Sequence, residues 1–141
     1  MNKTSYIISM IILLAGFAVM LYILYLMVYP FKTIEMKQPF KVLTPVVKAG
    51  EDFKILNEYC KYTNSTGTLS RSFIDGEIYP ISTTVSNLQT GCGSLVITIQ
   101  VPEYLPSGIY HLQTTAEYKI NPVRTIFVTS KSEDFQVIGA K

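Results

Sequence analysis

The chain reads as a mainly β protein: an antiparallel sandwich of seven or eight strands preceded by one N-terminal transmembrane α-helix. Three observations predict this. Tyr6 to Tyr29 is a run of 24 residues without a charge. Beyond it, apolar and polar residues alternate with a period of two, which is the strand period and not the helical one. Turn residues punctuate that region roughly every eight to twelve positions, the spacing of sandwich and barrel domains.

The helix comes first. At 1.5 Å per residue the run extends about 36 Å, against a hydrocarbon core of about 30 Å. Thirteen of its residues are Leu, Ile, Val or Phe. Together they favour insertion by roughly 4 to 8 kcal/mol on the translocon scale, with no charge opposing them. Tyr6 at one end, and Tyr25, Tyr29 and Phe31 at the other, suit the two headgroup zones, and Pro30 stops the helix. A cleaved signal peptide is the rival reading, since Gly16-Phe17-Ala18 is a small-x-small site. Eleven further uncharged residues precede Pro30, however, and a cleaved apolar region usually spans only about 7–15. An uncleaved anchor is expected. Within the run Ser9, Ala15, Gly16 and Ala18 are never four apart, so no close-packing helix pair is encoded there.

The domain plan is a short tail (1–5), the transmembrane helix (6–29), a juxtamembrane stalk (30–39), the β domain (40–138) and a C-terminal tail (139–141). Residues 30–141 carry eleven Lys or Arg and ten Asp or Glu, a net +1, which excludes a broad nucleic-acid surface. Lys32, Lys37 and Lys41, with Lys48 behind them, are candidates for contact with lipid headgroups, or else solvated strand-edge lysines. Positive-inside counting sets those lysines against Lys3 and favours a cytoplasmic domain. The folded body, its charge-poor Ser/Thr/Tyr surface and its cysteine pair favour the opposite side. We expect an extracytoplasmic domain, in periplasm or at the cell surface.

Val42–Lys48 reads as a first strand, confined to an edge or bulge by Pro45. After Ala49-Gly50-Glu51-Asp52, Phe53–Tyr62 is a second, with Phe53, Ile55 and Tyr59 on one side. Leu69–Ile74 and Glu77–Ile81 flank Asp75-Gly76, a type I′ hairpin signal. Thr83–Thr90 is indistinct. Ser94–Val101 alternates, with Leu95, Ile97, Ile99 and Val101 inward. Ile109–Tyr118 places Tyr110, Leu112, Thr114, Ala116 and Tyr118 on one face. Asn121-Pro122 turns the chain into Arg124–Val128, followed by a bulge and a short Phe135–Val137 pairing.

Leu105-Pro106-Ser107-Gly108-Ile109-Tyr110-His111-Leu112 resembles the corner that leads into strand F of an immunoglobulin-like domain, where a Tyr hydroxyl bonds back to the upstream backbone. Gly108 and Tyr110 are the corner residues. Lys48-Ala49-Gly50-Glu51 resembles the turn between strands A and B, and Phe135-Gln136-Val137 the end of strand G. The resemblance spans about residues 40–138. The antibody pattern is not followed, since Leu112 stands where a Cys is usual and there is no Trp. A lone domain of this kind on one span is similar to uncharacterised small membrane proteins of bacteria and their phages.

If Cys60 and Cys92 lie on strands B and E, they end at one pole of one sheet, within reach of a disulfide. Two free buried thiols are the alternative. Two Cys and one distant His cannot furnish a structural zinc site.

No catalytic set can be assembled around His111, the single histidine. Blue copper needs two His and a Cys, and phosphate- and dinucleotide-binding loops are missing. The expectation is a protein that is not an enzyme and takes no cofactor, metal, nucleic acid or small-molecule substrate. It presents its sandwich to a protein partner, with Asp75, Gly76, Tyr104 and Leu105 as candidate contacts at the pole far from the membrane; the alternative for Leu105 is that it plugs the core as part of the corner. The alternative is an oligomeric assembly subunit, pilin-like or of the virion-membrane or phage-lysis kind, self-associating through its helix.

Overall fold

A computed structural model describes residues 3–139. One helix, α1 (Lys3–Val28), leads into ten strands: β1 (Ile34–Met36), β2 (Lys41–Val42), β3 (Val46–Lys48), β4 (Asp52–Lys61), β5 (Gly67–Ile74), β6 (Ile78–Ser86), β7 (Gly91–Gln100), β8 (Gly108–Asn121), β9 (Arg124–Lys131) and β10 (Phe135–Ile138). None of the apolar stretch Ser5–Val28 is buried inside the protein, and it is long and apolar enough to cross a membrane.

The strands form two sheets. In the first, β4 is the hub: β7 runs antiparallel along one side, and β1 and β2 share the other. The second has the order β3-β10-β8-β5-β6, with β9 also on β8. This is the arrangement of an immunoglobulin-like sandwich: β1 and β2 stand for strand A, β4 for B, β7 for E, β5 for C, β8 for F, and β9 with β10 for G. Among the described residues nothing stands for strand D. The outer edge of β7 therefore has no strand partner among the described residues, and neither has that of β6.

Pro45 acts as a switch rather than a simple interruption. Val42 pairs with β4 in the first sheet, while Val46–Lys48 pair with β10, parallel, in the second. Proline has no N–H to give a ladder, so the crossing costs no bond there, and its carbonyl still accepts from Gln136 N at 2.8 Å.

The core lies between the sheets in two parts. The larger holds Phe40, Val47, Phe53, Ile55, Phe73, Ile99, Val101, Leu105, Tyr110, Leu112, Phe135 and Val137. Phe53 stacks on Phe135 with ring centroids 3.9 Å apart, and Phe73 meets both edge-on. The smaller, nearer the helix, holds Ile34, Leu69, Ala116 and Tyr118. The faces expected for β4 and β8 are largely those observed, with Asn57 and Lys61 additionally turned inward on β4.

Four local features differ from the sequence reading. The stretch 30–39 contains a strand, β1, because Ile34 is buried and its neighbours complete the edge of β4. The indistinct stretch after Ile81 continues β6 to Ser86, held by pairing to β5. Leu95 is 46% exposed, because no strand covers the outer side of β7. Finally, Asp75-Gly76 does not form a type I′ turn. Ile74 pairs with Ile78 across a three-residue loop in which Gly76 alone has positive φ, and Asp75 Oδ1 accepts from Glu77 N at 3.3 Å.

Candidate functional site

Cys60 and Cys92 are partners directly opposite each other in the β4–β7 ladder, bonded as a disulfide with Cα atoms 3.9 Å apart. The bond closes a loop of sequence separation 32. It lies at the helix-side end of the first sheet, since β4 runs toward Lys61 and pairs there with β1.

At the opposite pole, Tyr110 is fully buried and its hydroxyl donates to Pro106 O at 3.0 Å, which is the corner expected from the sequence. Gly108 is closely enclosed there. A Cβ on it would stand 3.1 Å from the Tyr110 ring and 3.2 Å from Asp75 Oδ2. Burial, and then the Asp75 carboxylate, push the Tyr110 phenol well above its ordinary value.

The contact residues expected at this pole separate into two kinds. Asp75, Gly76 and Tyr104 are exposed, Tyr104 at 67%. Leu105 is not a surface residue: at 1% exposure it plugs the larger core cluster, so its role as a contact is corrected to a structural one. Hydrophobicity in a short loop signals burial or contact equally well, and only the fold decides between them. Alongside Tyr104, the outer face of the second sheet carries Val46, Ile109 and Ile138, with Ile78 at its edge, all 44–69% exposed.

The juxtamembrane lysines are largely engaged. Lys32 pairs with Glu35 at 2.9 Å, and Tyr62 OH donates to the same carboxylate at 2.7 Å. These bonds, from Lys32 first, hold the Glu35 carboxyl below its ordinary range. Lys37 pairs with Glu58 at 2.9 Å. Lys41 lies opposite Leu56, five positions along β4 from Lys61. At strand rise that is roughly 16 Å, beyond a physiological Debye length of about 8 Å.

Two features escaped sequence reasoning. One is the junction between helix and sandwich. Asn121 Nδ2 donates to Leu26 O at 2.7 Å, and Arg124 Nη1 donates to Val28 O at 2.8 Å and Pro30 O at 2.9 Å. The β8–β9 turn thus caps the helix C-terminus with a cation and an amide, as the helix dipole favours. No local pattern could announce a bond between residues some ninety-five positions apart.

The other is a cleft of about 480 Å³ between the two sheets, opening on the side of β6 and β7 where strand D is missing. Arg71 enters it from the inward face of β5, between Leu69 and Phe73 and opposite Thr114 of β8. Its one side-chain hydrogen bond runs from Nη1 to Thr84 Oγ1 at 3.0 Å, and its Nε is buried without an acceptor. Burial pushes its guanidinium below its ordinary value, and no carboxylate among the described residues forms a salt bridge with it. A signal existed: in Leu69-x-Arg71-x-Phe73 the alternation itself assigns the arginine to the core face.

Among the described residues no group of three or more His, Cys, Asp or Glu could hold a metal ion. His111 is half-buried, on the opposite face of β8 from Tyr110 and Leu112.

No family model matches the chain, and no curated protein matches it either. Solved structures similar to it include a CARDB domain of a Pyrococcus furiosus protein in complex with di-metal ions. It is 12% identical with a TM-score of 0.42, over 76% of this chain and 90% of that one. A mutant β-glucosidase from Listeria innocua with laminaribiose is 9% identical with a TM-score of 0.40, over 75% of this chain and 16% of that one. The same organism's β-glucosidase with glucose is 8% identical with a TM-score of 0.38, over 76% and 16%. The chain thus spans a small part of either β-glucosidase, and likenesses at these TM-scores carry no argument about its ligands or activity.

Proposed function

We propose that the chain is a membrane-anchored binding module without enzymatic activity. In this reading α1 crosses the bilayer once and holds the sandwich on the extracytoplasmic face, where it meets a protein partner. The observation that carries the reading is the surface of α1. Its large apolar residues from Tyr6 to Val28 are 45–71% exposed, with the exception of partly covered Leu26, and the sandwich shields none of the rest. In water such a surface is untenable, whereas a bilayer covers it entirely. The Cys60–Cys92 disulfide supports an oxidising compartment.

The junction supports a fixed posture on the membrane. With Asn121 and Arg124 on the last helical carbonyls, the β8–β9 turn faces the lipid surface and the Asp75 and Tyr104 loops lie at the other end. Val46, Tyr104 and Ile109, together with Ile78 and Ile138 beside them, are the surface we assign to the partner.

Thiol labelling on intact cells expressing the full chain, followed by labelling after reduction and permeabilisation, tests the reading. Cysteines that label only after reduction, in a protein that stays in the membrane pellet through alkaline carbonate, are the expected result. Free cysteines protected solely by an intact inner membrane, or release by carbonate, contradict it. A photo-crosslinking residue at Ile109 should join one defined protein, and the same residue at Lys119, near the membrane pole, should not.

A further inference from the structure

The cleft between the sheets is built like a ligand site, and we propose that it binds a small organic monocarboxylate: one carboxylate on an apolar body. The cation is Arg71, the only charged residue in the lining among the described residues. The absence of an acidic residue from that lining matters, because structural arginines inside a sandwich are normally held by a carboxylate.

Two further buried polar groups line the same cleft. Asn57 on β4 is 3% exposed with Oδ1 unpaired, and Ser86 at the end of β6 is 4% exposed with its hydroxyl beside that of Tyr118. A hydroxyl can donate by rotation, and an amide can present Nδ2 in place of Oδ1 by turning through 180°. Arg71 Nε is a donor without an acceptor, and the Asn57 amide and the Ser86 hydroxyl, one from each sheet, can each turn a donor toward the same opening. Buried polar groups ordinarily find partners, so an unpaired guanidinium N–H with no carboxylate beside it, flanked by two groups able to donate, points to a bound acceptor.

The rest of the lining sets the class of ligand. Met36, Leu69, Val85, Leu95, Val96 and Ile97 offer an apolar wall. One cation matches a single negative charge better than a phosphate dianion, and the wall favours a hydrocarbon or aromatic body over a sugar. The missing strand leaves the mouth open between β6 and β7, which gives the ligand its way in.

Fluorine NMR on the full chain in lipid nanodiscs tests this, with 3-(4-fluorophenyl)propionate as probe, its amide as the uncharged control, and empty nanodiscs to subtract partition into lipid. The acid should bind in a saturable way and the amide at least tenfold more weakly. Arg71→Gln should weaken the acid at least tenfold, Arg71→Lys should restore part of the loss, and Lys119→Gln on the outer surface should change nothing. Leu95→Trp, which fills the mouth and leaves the charge in place, should also block binding and carries the test if Arg71→Gln does not fold. Equal binding of acid and amide, signal no greater than in empty nanodiscs, or acid binding indifferent to Arg71→Gln and Leu95→Trp overturns the proposal. Labelled membrane topology is untouched by any of these outcomes, so failure here leaves the anchored-module reading standing.

Discussion

The ring of Tyr118 lies against the backbone of Gly67, so closely that a Cβ at position 67 would stand 2.5 Å from Cε1 and 2.8 Å from Cζ. The two residues are partners in the β5–β8 ladder, and Tyr118 is fully buried in the smaller core cluster. Glycine here makes room for an aromatic ring rather than for an unusual backbone angle. Gly67→Ala should therefore destabilise the sandwich by about 1–3 kcal/mol, the usual cost of overpacking. Urea unfolding of the full chain in nanodiscs, followed by near-ultraviolet circular dichroism, checks it. An unchanged midpoint would mean that the ring moves aside freely.

The disulfide bears on stability in the same assay. Closing a loop of separation 32 is worth about 3–4 kcal/mol when the effect is assigned to the unfolded chain's entropy. The double variant Cys60→Ala, Cys92→Ala should lose about that amount, and dithiothreitol should destabilise the parent chain without affecting the variant.

Leu105 and Tyr104 are neighbours with opposite environments, and substitution should separate them. Leu105→Ala removes a core side chain and should cost about 2–4 kcal/mol. Tyr104→Ala, on an exposed loop, should stay within about 0.5 kcal/mol while abolishing any contact made through that loop.

The buried phenols set an alkaline limit. Burial raises the Tyr110 and Tyr118 phenols above their ordinary value. A raised folded value means that stability is fully present below the unfolded pKa, about 10, and is lost as pH climbs from there toward the folded values. In that window the unfolded chain releases protons that the folded chain keeps. Each such phenol then contributes a fall of up to about 1.4 kcal/mol per pH unit. Tyr110→Phe should make the decline between pH 10 and 12 shallower than in the parent, whatever it does to stability at pH 8. Identical slopes would show that Tyr110 is not protected from ionisation.

How far these features can be read from the chain alone depends on how local they are. The helix, the β8 face from Tyr110 to Tyr118 and the Gly108–Tyr110 corner are written in contiguous patterns, and the sequence reading placed them. The Cys60–Cys92 partnership followed only once the strands were assigned to neighbouring places in a sheet. Leu105 stays open between contact and core in the sequence because its loop is short and its destination, the larger core cluster, is assembled from six strands. The cleft and the helix junction were out of reach for the same reason: Arg71, Asn57 and Ser86, like Arg124 and Val28, are brought together by topology and not by spacing.

The central claim is that lipid covers α1 while the strands beyond it pack around the larger core cluster as a sandwich held to the helix end by Asn121 and Arg124. Amide hydrogen exchange on the full chain in nanodiscs, resolved by mass spectrometry, tests it most directly. Slow exchange is predicted both over Ile7–Val28 and over β4, β7 and β8, with Asn121→Ala plus Arg124→Ala speeding exchange at residues 26–29 alone. Rapid exchange throughout Ile7–Val28 beside a protected sandwich would contradict the account.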